Sequence, residues 1–396
     1  MKKLIFKTFL IALCIVMLIA AVSCDNNSTK KESTKDGTKN SDSKSDEDIK
    51  NSEKKESLAG SFENDDKKRV KAKGLYLTAT SAGSRLDHYI ELANKTEINS
   101  YIIDFKDDDG YVCFDSKNET AKEVKAVDVR YDPKKVVKEL QKNDIYAIAR
   151  IVCFKDPILA GVKTDQAIHN LDGSLFIHNN MAWLNPYNND NWEYNLDLAK
   201  EAIEYGFDEV QFDYVRFPDG KKSNMDFAKT NDNEMHEQIE AFLAKARKEL
   251  PKEILSADIF AITLESPEDN EQIGQYYEKV GENMDYLCPM AYPSHYALGQ
   301  IINGVEFPKP DKDPGGVVKQ TLLKGKSRLE KVKDHKPILR TYIQDFTASW
   351  IGEGNYQEYG ATQVREQIEG VYAAGYEEWI CWDPMNTYSE DAFKKE

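Results

Sequence analysis

Eight apolar, β-rich runs alternate with amphipathic helical patterns in this chain, and aspartates and aromatics recur at the C-terminal ends of those runs. The densest is Val210-Gln211-Phe212-Asp213-Tyr214-Val215-Arg216-Phe217-Pro218. Strands joined by helical crossovers form a parallel sheet covered on both faces, and at eight strands such a sheet can close into a barrel. The runs span residues 74–80, 100–106, 146–153, 209–214, 254–261, 286–292, 337–346 and 377–384. Helical periodicity is clearest at 85–95, 133–142, 194–205, 234–250, 317–332 and 362–374, as in Ile239, Phe242, Leu243, Ala246 and Leu250. Gly206, Pro251 and Gly375 mark helix ends just before the next strand. No GxGxxG or Walker-type loop follows any run, which counts against an open doubly wound sheet. The fold expected is α/β, a single (β/α)8 barrel over residues 70–396.

The residues before it read as an address and a tether. Lys2, Lys3 and Lys7 precede an apolar stretch at 9–20, and small residues then lead to a cysteine in Ala21-Val22-Ser23-Cys24. This order resembles a bacterial lipoprotein box, which implies a signal peptide over 1–23, cleavage before Cys24 and lipidation of its thiol. The box more often has leucine where this chain has Ala21. The apolar stretch is short for an uncleaved membrane span. Residues 24–69 are dominated by Lys, Ser, Asp, Glu, Asn and Thr, too polar to offset their ordering entropy by burial. They predict a disordered linker that holds the domain off the outer face of the bacterial cytoplasmic membrane. A nucleic-acid partner is disfavoured, because the linker interleaves both charge signs and the chain carries a formal net charge of -16.

Outside the signal and Cys24, the cysteines are Cys113, Cys153, Cys288 and Cys381. None forms a CxxC pair, and three lie in apolar runs where a cysteine acts as a small hydrophobe. Free thiols are expected, with no metal and no cofactor.

Polar residues at the strand C-termini are the candidate site: Asp104, Lys106, Arg150, Asp213, Arg216, Asp258, Tyr292, His295, Arg340, Gln344 and Asp383. Facing the hydrophobic layer outside the barrel would cost them too much desolvation, so they are expected at the barrel mouth. Cleavage of a glycosidic bond needs two carboxyl groups, one charged and one protonated. Asp213 and Asp258, on neighbouring strands about 4.8 Å apart, could supply them. Arg216 or Arg340 could keep Asp213 ionised, and burial could raise the pKa of Asp258. Tyr76, Tyr214, Tyr292, Trp350 and Trp382 offer flat apolar faces for sugar rings. The bland alternatives are an Asp213–Arg216 ion pair, a supporting Asp104–Lys106 pair, and a solvated turn at Asp107-Asp108-Asp109-Gly110, whose flanking residues do not fit a calcium loop.

Several motifs carry a resemblance: Gly74-Leu75-Tyr76, Thr96-Glu97-Ile98-Asn99, Ile103-Asp104-Phe105-Lys106-Asp107-Asp108-Asp109-Gly110, the segment 211–218, Pro289-Met290-Ala291-Tyr292-Pro293-Ser294-His295-Tyr296 and Gln344-Asp345-Phe346. Together they resemble a glycoside-hydrolase family of bacterial barrel proteins once known only as a domain of unknown function, related to α-amylase-like barrels. The resemblance implies retaining chemistry with an Asp nucleophile after the fourth strand, here Asp213, and a carboxylic acid after the fifth, here Asp258. A Trp-Asn pair would be expected at the eighth strand, where this chain reads Trp382-Asp383. The function expected is hydrolysis of an envelope or extracellular polysaccharide, with Asp104, Arg216, Tyr292, His295, Arg340, Gln344, Trp382 and Asp383 contacting the substrate. The alternatives are a carbohydrate-binding lipoprotein on a non-catalytic barrel and a cell-envelope scaffold.

Overall fold

Strand β2, Ser100–Lys106, is buried along its whole length because both of its faces are covered. Tyr101, Ile103 and Phe105 pack outward against helices, and Ile102 points into the barrel with Ile148, Ile254, Cys288 and Ile380. The computed structural model describes residue 67 and residues 69–394 apart from 334 and 336, so the signal peptide, Cys24 and linker residues 24–66 lie outside it.

The other strands are β1 Lys73–Leu77, β3 Tyr146–Val152, β4 Glu209–Asp213, β5 Ile254–Phe260, β6 Tyr286–Met290, β7 in two pieces (Ile338–Leu339 and Thr341–Gln344), and β8 Trp379–Trp382. Each pairs in parallel with the next, and β8 returns to β1 through Gly74↔Ile380, so the barrel is closed. The break in β7 falls at Arg340, whose N–H still donates to the Leu287 carbonyl at 2.9 Å.

Helices α1 Leu86–Lys95, α2 Pro133–Lys142, α3 Asn189–Tyr205, α4 Met235–Glu249, α6 Pro314–Leu329 and α7 Ala361–Ala373 cover the barrel. The connection after β5 has only the short α5, Tyr277–Gly281, and the described residues after β8 form a 3-10 turn at Glu390–Ala392 rather than an eighth α-helix. Residues 265–270, Glu-Ser-Pro-Glu-Asp-Asn, carry no apolar stripe, which explains the short α5. Helix α3 begins five residues before the periodicity suggests, because Asn188 caps it by accepting from the Asp190 N–H. It stops at Gly206, whose φ of 94° suits the left-handed cap. Helices α6 and α7 meet backbone to backbone: a Cβ on Gly370 would lie 2.5 Å from the Gly315 carbonyl oxygen.

The two ends of the barrel differ. At the N-terminal end, Arg340 donates to both oxygens of Glu209 (2.8 and 3.0 Å) and to Glu378 (2.9 Å), with Tyr146 and Ser256 also donating to Glu209. Two described residues ahead of residue 70 pair with the barrel, Arg69 with Asp285 at 2.7 Å and Lys67 with Glu253 at 2.7 Å. Those acids stand immediately before β6 and β5, so the chain enters the barrel at its N-terminal end. The opposite end is built from the longer connections, including hairpins at Ile177–His178 with Met181–Ala182 and at Gln300–Ile302 with Val305–Phe307.

Candidate active site

Side chains alternate along each strand, and Asp104, Arg150, Asp213 and Asp258 are the charged residues of inward parity toward the C-terminal ends of β2 to β5. The Arg150 guanidinium is the centre of this group. Its Nε and Nη2 both donate to Oδ2 of Asp213, at 2.9 and 2.6 Å; Nη1 donates to Asp104 at 2.7 Å, and Nη2 also to Asp108 at 2.8 Å. The remaining oxygen of Asp213 accepts from the N–H of Tyr214 at 2.6 Å. Tyr214 has a φ of 47°, a left-handed conformation that costs a non-glycine residue about 1–3 kcal/mol and ends the strand just after the carboxylate.

Lys155 supplies the second cation, 3.0 Å from Asp108 and 4.5 Å above the Tyr214 ring. Three carboxylates, Asp104, Asp108 and Asp213, thus share two cations. Asp108, held by both, is pulled well below the usual carboxylate range. Burial pushes Asp104 up to about 7 despite Arg150 and the hydrogen bond it accepts from Tyr76 at 2.7 Å.

Asp258 is 1 % exposed, stands opposite Cys288 in the β5–β6 register, and has one oxygen with no hydrogen-bond partner. Burial raises its pKa well above the ordinary value, and the nearby charge of Asp213 raises it further. Phe212 pairs with Ala257 between β4 and β5, so Asp213 and Asp258 are the next residues on adjacent strands.

Across the mouth from these acids stands an aromatic group. Tyr292 lies 5.5 Å from Trp382, 6.0 Å from Phe346 and 5.3 Å from His295, centroid to centroid. One side of the mouth is therefore charged and the other apolar.

The remaining candidates lie elsewhere or act differently. Arg216 does not reach Asp213: it lies 4.2 Å over the Phe260 ring and 5.0 Å over Trp183, and pairs with Asp219 at 3.3 Å. Arg340, expected at the mouth, is fully buried in the ion network at the barrel base, because its position on β7 is level with the first residues of β4 and β8. The cation beside Asp213 is thus Arg150, and neither Arg216 nor Arg340. Gln344 is consumed inside the wall, where it accepts from Ser294 Oγ at 2.8 Å and donates to the Phe346 carbonyl at 2.8 Å. Asp383 caps its own turn through the N–H groups of Met385 (3.2 Å) and Thr387 (2.7 Å), and burial lifts it to about 6.

Asp104 and Lys106 do not pair. A bulge between them turns Lys106 out of the barrel to Asp156 at 2.8 Å, fully buried. Nor is the segment 107–110 a solvated turn: Asp107 is buried and pairs with Arg130 at 2.6 Å, and Asp108 joins the site. No strand parity marks Asp108, which follows the bulge and the end of β2, or Lys155, which lies beyond the end of β3.

Residues 74–388 match the family model described as "Putative glycosyl hydrolase domain". No curated protein matches the chain. Among solved structures, a hypothetical protein from Ruminiclostridium thermocellum is 47 % identical, with 46 % of this chain and 96 % of that one covered and a TM-score of 0.44. The PgaB (BpsB) glycoside hydrolase domain from Bordetella bronchiseptica is 11 % identical, with 83 % and 100 % covered and a TM-score of 0.58, a likeness of fold. The α-galactosidase TtGalA from Thermus thermophilus is 11 % identical, with 81 % and 60 % covered and a TM-score of 0.48. With most of its length matched by the family model, the chain belongs to this family of glycosyl hydrolase-type domains.

Proposed function

We propose that the domain is a retaining glycoside hydrolase acting on an envelope or extracellular polysaccharide, with Asp213 as nucleophile and Asp258 as general acid/base. The observation that carries this reading is the contrast between two carboxyl groups on adjacent strands. Asp213 is ion-paired through one oxygen to Arg150, whereas Asp258 is buried with an oxygen that nothing in the protein uses. A separation of roughly 5 Å, natural for neighbouring strands, suits a double displacement.

The electrostatics support a cycle. With Asp213 charged, Asp258 holds its proton and can give it to the leaving oxygen. Once Asp213 is esterified by the sugar its charge is gone, the pKa of Asp258 falls, and the same group can take a proton from the attacking water. Tyr292 and Trp382 supply ring faces for the sugar, and Asp104 lies beside that platform, bonded to Tyr76, whose ring centroid is 6.2 Å from that of Trp382. His295 completes the aromatic side.

We also propose that the protein is exported and held at the outer face of the cytoplasmic membrane through a lipid on Cys24. Membrane fractionation of Cys24→Ala tests this, and unchanged processing and retention would sink it. The enzymatic reading is tested by screening the purified protein on bacterial envelope and exopolysaccharides, with the anomeric configuration of the first product followed by NMR. Retained configuration supports the assignment; inversion removes the double displacement, and binding without turnover favours a carbohydrate-binding barrel.

A further inference from the structure

The aromatic rings at the mouth extend beyond the carboxylates. From Tyr76 on β1 the ring centroids step 6.2 Å to Trp382, 5.4 Å to Phe346 and 5.7 Å to Trp350. Exposure rises along this path: Tyr76 is buried, and Trp382, Phe346 and Trp350 are half-buried. His295, edge-on to Trp350 at 6.5 Å, is exposed. The path therefore leads from the barrel interior to its rim.

Trp350 itself sits in a 3-10 turn, Ser349–Ile351, between exposed residues Ser349 and Gly352. Phe346 lies nearly parallel to it, 16° between planes, and backs one face of the indole. Apart from that face and the His295 edge, no other ring packs on Trp350 among the described residues. A large ring kept partly in water on a loop contributes less to the core than its area allows, but a rigid backed indole offers a low-entropy surface to a ligand. The apolar C–H face of a sugar ring complements the electron-rich face of an indole.

We propose that Trp350 forms a second sugar-stacking position outside the one at Tyr292 and Trp382, so that the site takes a polysaccharide chain rather than a single sugar unit. The proposal rests on the glycosidase reading for the location of the reacting sugar, but its own content is binding. Phe346 is 89° from Trp382 and nearly parallel to Trp350, so the two platforms stand close to a right angle and a chain using both bends between them.

The test uses size-fractionated α-glucan, β-glucan and chitin oligosaccharides, from monosaccharide to octasaccharide, titrated into the Asp213→Asn protein with and without Trp350→Ala and followed by calorimetry. Asp213→Asn prevents turnover, so the result is independent of whether the protein hydrolyses anything. Affinity is expected to rise with chain length. Trp350→Ala should remove about tenfold of that gain, equivalent to ~1.4 kcal/mol, and leave monosaccharide binding unchanged; Trp350→Phe should retain most of it. Circular dichroism of each variant excludes unfolding as the cause. A length-dependent gain untouched by Trp350→Ala, or no gain with length in any of the three series, overturns the proposal. Length-dependent binding in Asp213→Asn together with no turnover of the same oligosaccharides by the unsubstituted protein would leave it standing and count against the glycosidase reading instead.

Discussion

Arg150 grips Asp213 by a single oxygen, with Nε at 2.9 Å and Nη2 at 2.6 Å, while the other oxygen is held only by the N–H of the next residue. A planar guanidinium can do this while also holding Asp104 and Asp108; an ammonium cannot present the same fork. Arg150→Lys therefore keeps a charge in the cluster and loses the geometry. It is expected to lower kcat about 10²-fold, the scale on which a misplaced reacting group is penalised. Arg150→Gln removes the charge as well and is expected to lower kcat further than Arg150→Lys does. A kcat in Arg150→Lys equal to that of the unsubstituted protein would exclude Arg150 as the group that positions Asp213.

Asp213→Asn is expected to abolish turnover on every substrate with the fold intact. Asp258→Asn should behave differently, because a good leaving group needs little protonation whereas breakdown of the glycosyl-enzyme still needs a base. A covalent intermediate should accumulate and be detectable by mass spectrometry, and azide should restore turnover by attacking it unaided. Full activity in Asp213→Asn would eliminate the proposed nucleophile.

How far the sequence discloses this arrangement follows from strand geometry. Alternation with a period of two points Asp104, Arg150, Asp213 and Asp258 to one side of their strands, and the barrel interior follows from that. Height along the barrel is harder to read. Arg340 and Gln344 have the inward parity of Tyr342, yet one lies at the base and the other is absorbed into the wall, because strand ends taken from composition are uncertain by several residues. Lys106 escapes for a different reason: the bulge after Asp104 reverses its direction, and nothing in Asp-Phe-Lys announces a bulge. Lys155 and Asp108 come from loops, which carry no periodic signal. The base network was legible in principle, since Glu209, Gln211 and Asp213 share one parity on β4. What obscured it was the expectation that polar residues collect at the mouth.

Asp104 should leave a mark on stability. Its folded-state pKa is raised to about 7 by burial, against an ordinary value of 3.8. The folded protein then binds more protons than the unfolded chain between those values, so the contribution is fully present below about pH 4 and is lost as pH rises through about 7. Asp104→Asn keeps the shape without the titration. Its melting temperature, measured from pH 4 to 8, is expected to fall less with rising pH than that of the unsubstituted protein. Parallel curves would show that Asp104 does not titrate in this range.

The base of the barrel gives the last prediction, because it separates support from substrate contact. Arg340 and Glu209 are both 0 % exposed and bonded at 2.8 and 3.0 Å, with Glu378 on the guanidinium's other side. Removing one member leaves a buried charge without its partner, which costs about 3–5 kcal/mol. For Arg340→Met this corresponds to a fall in melting temperature on the order of 10 °C. Glu209 begins β4 and Asp213 ends it, so four residues at roughly 3.3 Å each separate the base from the mouth. Well below the melting temperature, KM of Arg340→Met should therefore match that of the parent, whereas a residue in contact with substrate would raise it. A tenfold or larger rise in KM with little thermal loss would return Arg340 to the substrate site and contradict its placement in the base.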